Sequence, residues 1–194
     1  MLRSRFSQYL LVIVLAGTLM AAHGFRLAAQ PSRERPLTGD SLEGPPPACP
    51  TGDPSELCDE PRSFETLASG TNGGVREEQY LVIRNAEEFL DLWRRIHRNR
   101  IPAPEPPELD FGRVQVIAAI LGERPTGGYA VAVRRICADG LVAISRQEPE
   151  PGRMLTQALT APYHLVVNDR PDPDRADGNA AGGLRFCTIP RGEP

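Results

Sequence analysis

Leu121-Gly122-Glu123-Arg124-Pro125-Thr126-Gly127-Gly128-Tyr129 lies between two apolar runs rich in β-branched residues. Pro125 fixes its own φ, and Gly127 and Gly128 admit positive φ where other residues are strained. With an aromatic following at once, the stretch reads as strand, turn, strand. Upstream, Phe111 to Leu121 is long and apolar enough for a central strand, and downstream Tyr129, Val131 and Val133 alternate with small residues toward Cys137.

Working outward, Tyr80-Leu81-Val82-Ile83 reads as a first strand. Asn85 is a helix N-cap with Glu87 and Glu88 in the first turn, where the helix dipole favours negative charge. Phe89, Leu92, Trp93 and Ile96 then recur at helical spacing, which predicts a helix from Ala86 to Arg98. The proline-dense stretch Ile101 to Pro107 cannot continue it. After Cys137, Asp139-Gly140 signals a tight hairpin, with Leu141 to Arg146 as its second strand. Pro149 to Gly152 is a loop, and Thr156 to Thr160 fits no single element. Tyr163 to Val167 and Leu184 to Ile189 are further strands. The predicted order is β-α-β-β-β-β-β. It implies an α+β domain, a mainly antiparallel sheet with one covering helix, left flat or curled into a barrel or sandwich.

Two blocks carry a family resemblance. The first is the Leu121–Tyr129 stretch. The second is Pro149-Glu150-Pro151-Gly152 followed by Thr156-Gln157-Ala158-Leu159-Thr160-Ala161-Pro162-Tyr163-His164-Leu165-Val166. In order and spacing they resemble the C-terminal domain of the PrcB family, the protease complex subunit type, over roughly residues 111 to 170. The resemblance implies a non-catalytic exported domain that accompanies a secreted protease. The chain departs from the pattern after Val167, where 169–183 is a polar, Pro/Gly-rich insertion.

The N-terminus reads as a secretory signal peptide over residues 1–24, with Arg3 and Arg5 before the apolar run Leu10 to Met20 and Ala22-His23-Gly24 at the cleavage point. The apolar run is short for a membrane span, and an uncleaved anchor is the alternative. Residues 25–76 are rich in Pro, Gly, Ser, Arg and Glu and read as a flexible linker, which leaves 77–194 as the globular domain. All basic residues are arginine, and the formal net charge is −3. An acidic balance argues against nucleic acid as a partner. Export suits the four cysteines, Cys49, Cys58, Cys137 and Cys187. Of three possible pairings, Cys49–Cys58 inside the linker and Cys137–Cys187 across two core strands is the favoured one. The destination is periplasmic or extracellular in a bacterium, and the oligomeric state is left open.

Catalytic signatures do not emerge. The sequence has neither a G-x-S-x-G elbow nor an H-E-x-x-H helix, and the cysteines lack zinc-ligand spacing. Asp172, Asp174 and Asp177 lack the glutamate of a calcium loop. His97 reads as a solvated residue at the end of the helix. No metal or cofactor is expected, and the chain is not expected to be an enzyme. The expected contact surface for a protein partner is Arg124, Pro125, Thr126, Gly127, Gly128 and Tyr129 with Pro162, Tyr163 and His164. Tyr and Arg are common interface anchors, and rigid loops lose little entropy on docking. Read structurally instead, His164 would hydrogen-bond a loop. The turn is also similar to the Asn-Pro-Thr-Thr-Gly-Tyr loop of chagasin-type cysteine protease inhibitors, with Arg124 and Gly127 at the differing positions. Inhibition and an envelope scaffold are therefore the alternatives to an accessory subunit, and an enzyme with a scattered site stands behind them.

Overall fold

Burial on both faces of one strand decides the layering. Along Val114–Ile120, Val116, Ala118 and Ile120 join one apolar cluster, and Ile117 and Ala119 join another. A strand buried on both sides needs a layer on each, and the computed structural model supplies them. It describes residues 41–152, 154–170 and 183–189. The predicted signal peptide, the first part of the predicted linker and the Asp172–Asp177 stretch lie outside the described residues.

Among the described residues the strands are β1 (Ser41–Glu43), β2 (Pro61–Arg62), β3 (Glu65–Gly70), β4 (Gln79–Ile83), β5 (Val114–Ile120), β6 (Ala130–Cys137), β7 (Leu141–Gln147), β8 (Tyr163–Asp169) and β9 (Arg185–Ile189). One helix, α1 (Ala86–His97), follows β4. They form a five-stranded sheet in the order β1-β4-β5-β8-β3 and a four-stranded sheet in the order β2-β6-β7-β9. All pairings are antiparallel except β7 with β9. The sheets stack as a sandwich and do not close into a barrel.

α1 behaves as its sequence demands. The Asn85 side chain accepts from the Glu88 N–H at 2.9 Å. Phe89, Leu92, Trp93 and Ile96 are buried against Leu81, Ile83, Val116, Ala118, Ile120 and Leu165 on the outer face of the larger sheet. Trp93 Nε1–H donates to the Pro104 carbonyl at 2.9 Å, which straps the proline-rich connection along the helix. Between the sheets, Tyr80, Val82, Ile117 and Val166 meet Val131, Val133, Ile136, Val142, Ile144 and Phe186.

Three expectations are corrected here. The stretch 41–76, expected as linker, is built into the sandwich. β1 and β3 form the two edges of the larger sheet, and β2 pairs with β6. Val75 is buried in the core, Leu42, Leu57, Phe64 and Leu67 pack against it in part, and the backbone ladders supply the rest. The disulfides are Cys49–Cys187 and Cys58–Cys137, not the favoured pairing. Cys49 N–H donates to the Thr188 carbonyl at 2.9 Å, so the segment before β2 runs beside β9 and Cys49 meets Cys187 rather than Cys58. Finally, the Leu121–Tyr129 loop is not a hairpin turn. β5 belongs to one sheet and β6 to the other, so the loop arches across the sandwich. The hairpin expected at Asp139-Gly140 does form, between β6 and β7, with Gly140 at φ +86°.

Candidate functional site

The two family blocks meet in space. Arg124 and Thr160 form an antiparallel bridge, with N–H to carbonyl distances of 2.7 and 3.0 Å. Thr160 Oγ1 donates to the Thr126 carbonyl at 2.8 Å, and Gly127 N–H donates to the Thr156 carbonyl at 3.0 Å. Leu121 N–H donates to the Pro162 carbonyl at 3.0 Å. The arch and the 156–162 segment therefore form one lip at the end of the sandwich. The glycines of the arch differ in role. Gly122 and Gly128 take φ of +72° and +89°, whereas Gly127 does not adopt positive φ. A Cβ on Gly128 would stand 2.9 Å from Pro149 Cβ.

The lip is braced from beneath by Glu78, which sequence reasoning did not single out. Its carboxylate pairs with Arg124 at 2.6 Å and Arg146 at 3.3 Å, and it accepts from the Tyr80 hydroxyl at 2.9 Å. The three charged side chains are 13% to 23% exposed. Burial, with the Glu78 carboxylate beside it, pushes the Tyr80 hydroxyl well above its ordinary pKa, so it remains a donor. The Arg124 guanidinium also lies 5.9 Å from the Tyr129 ring centre. Arg124 is thus mainly committed to holding the arch. Only the Glu77-Glu78 pair just ahead of β4 could have pointed to this network, and that signal is weak.

Tyr163 and His164 are corrected as surface residues, and Pro162 is buried with them. Tyr163 is 2% exposed and faces the helix layer, because β8 is interior to its sheet and covered on both sides. Gly70 and Gly73 roof its ring; a Cβ on either would stand 3.0 to 3.1 Å from ring carbons. His164, on the opposite face, clamps the sheets together. Val133 N–H donates to its Nδ1 at 2.9 Å, and its Nε2 lies 3.0 Å from Thr66 Oγ1. An accepting Nδ1 makes the ring neutral, with the proton on Nε2 and directed to Thr66. The β6 register shifts just after Val133.

His97 is also buried, at 2% exposure, and not solvated as expected. Its Nδ1 lies 3.0 Å from the Trp93 carbonyl, one turn back along α1. Its Nε2 faces the Tyr163 hydroxyl at 3.5 Å. Burial lowers the pKa of both histidines, helped by Arg134 at His164 and Arg100 at His97.

The lip and the loop leading into it expose apolar groups beside the polar Thr156 and Gln157. Met154 and Leu159 are 102% and 69% exposed, and Pro125 and Gly128 are exposed on the arch. No curated protein and no solved structure matches the chain. Residues 115–168, from β5 through the lip to β8, match the family described as PrcB C-terminal. Over this stretch, less than a third of the chain, the protein is therefore similar to the C-terminal domain of the PrcB family.

Proposed function

We propose that the chain is an exported, non-catalytic subunit of a secreted protease complex, and that the lip is its contact with the protease. The observation that carries this is the lip itself. Two family blocks converge on one edge, braced by the Glu78 network, and that edge with the loop leading into it leaves Leu159 and Met154 in water. Exposed aliphatic side chains on an ordered support are what a protein interface buries at its centre. Two disulfides fit an oxidising destination, and no helix among the described residues is long and apolar enough to cross a membrane. The buried histidines are engaged in structural hydrogen bonds, which leaves them unsuited to general base work.

The test is affinity capture from the exported fraction of the native host, with mass spectrometry of what is retained. Met154→Ser with Leu159→Ser is the control, because both side chains are solvated and their loss spares the fold. A protease retained by the wild type and lost from the double variant is the expected result. Retention of the protease by both would move the contact off the lip. Absence of any protease would end the accessory-subunit reading. Hydrolase assays on the purified chain, expected to be negative, test the non-catalytic role.

A further inference from the structure

The C-terminal end of α1 carries more positive charge than the fold uses. Residues 94–101 read Arg-Arg-Ile-His-Arg-Asn-Arg-Ile, four arginines without a carboxylate in a chain of net charge −3. Arg95 pairs with Asp91 at 3.7 Å, and His97 is buried. Arg94, Arg98 and Arg100 are exposed and form no ion pair among the described residues. A helix C-terminus favours a cation in its last turn, which accounts for Arg94 but not for Arg98 and Arg100 beyond His97. Ile101 follows them at 99% exposure. One exposed aliphatic residue alone means nothing. An aliphatic tip adjoining three guanidinium groups that form no ion pair among the described residues is the composition of a bilayer-contacting surface.

We propose that this end of α1 rests on an anionic lipid surface. Arg94, Arg98 and Arg100 would meet headgroup phosphates, which guanidinium groups bind in bidentate fashion, and Ile101 would enter the acyl boundary. Lipid is favoured over nucleic acid because a phosphate backbone offers nothing to Ile101. The patch lies at the same end of the sandwich as the lip, since Gly74 N–H donates to the Ile96 carbonyl and Glu123 N–H to the Arg76 carbonyl, both at 2.8 Å. It belongs to the helix layer, however, and the proposal does not rest on protease binding.

The experiment measures partitioning of the exported protein onto phosphatidylglycerol and phosphatidylcholine vesicles at low ionic strength. The readout is the ratio of the two, which cancels any contribution common to both lipids. Arg94→Gln with Arg98→Gln and Arg100→Gln is expected to lower the ratio by about 100-fold, near fivefold per arginine. Ile101→Ser is expected to weaken binding to phosphatidylglycerol by about tenfold. Met154→Ser with Leu159→Ser should change neither. The proposal is overturned by a wild type without lipid preference, by a triple variant with an unchanged ratio, or by vesicle binding that follows the lip variant instead. A short DNA duplex bound as tightly as the anionic vesicles, with Ile101→Ser without effect on either, would likewise reassign the patch to polyanions in general.

Discussion

Cysteine replacements distinguish the observed disulfide pairing from the one the sequence favours, through the pattern of their energies. The bridges span 138 and 79 residues. In the chain-entropy treatment, loops of those lengths are worth about 5 and about 4.5 kcal/mol. The loops are nested, so with one bridge intact the other closes an effective ring of roughly 60 residues, worth about 4 kcal/mol. Cys49→Ala and Cys58→Ala should therefore each cost about 4 kcal/mol, and together about 9. Cys49→Ala with Cys187→Ala should match Cys49→Ala alone to within about 0.5 kcal/mol, since both remove one bridge. Under the alternative pairing, Cys49–Cys58 would close a loop of roughly nine residues worth about 2.5 kcal/mol, and the Cys49/Cys58 double variant would be no worse than either single one. The assay is equilibrium urea unfolding with leftover thiols alkylated. It is followed by the fluorescence of Trp93, the sole tryptophan, which is 7% exposed. Domains of this size hold about 5 to 15 kcal/mol in total, so a Cys49/Cys58 variant already unfolded without urea is the additive outcome. A double variant as stable as either single one would refute both the pairing and the placement of residues 49–58 on the smaller sheet.

Three further outcomes are expected. Tyr163→Ala should destabilise the domain by about 3 to 5 kcal/mol in urea unfolding, as truncation of a buried aromatic does, whereas a surface role for Tyr163 would leave the midpoint nearly unchanged. Gly128→Ala should cost about 1 to 2 kcal/mol through its positive φ and the Pro149 contact, while Gly127→Ala stays within about 0.5 kcal/mol, by thermal melts of the two variants. Both buried histidines have folded pKa values below the ordinary 6.5, so the unfolded chain takes up protons first. Stability is then complete above about pH 6.5 and falls as pH drops toward the folded values, by up to about 1.4 kcal/mol per pH unit for each histidine. A melting temperature that does not fall between pH 7.5 and pH 5.5, or a fall that His164→Gln fails to flatten, would contradict the neutral clamp.

Local interactions wrote some of this protein directly into its sequence. The Asn85 cap, the Phe89-Leu92-Trp93-Ile96 stripe and the Asp139-Gly140 turn act within a few residues, and each appears where it was read. The same holds for β4 through β8, whose apolar runs are long, and for β9 after the polar insertion. The two family blocks were legible as motifs, but not their contact, because the Arg124–Thr160 bridge joins residues far apart in the chain. Tertiary structure alone decided the rest. β1, β2 and β3 carry few apolar side chains, and their strand character comes from hydrogen bonds that a distant partner provides, as between Thr66 and Val166. The disulfide pairing followed from where those strands lie. Tyr163 and His164 looked like exposed anchors because a polar or aromatic residue in a strand does not announce its cover, and here the cover is Gly70 and Gly73 on one side and Val133 on the other. Burial is a property of the partner layer, and no stretch of chain encodes its partner alone.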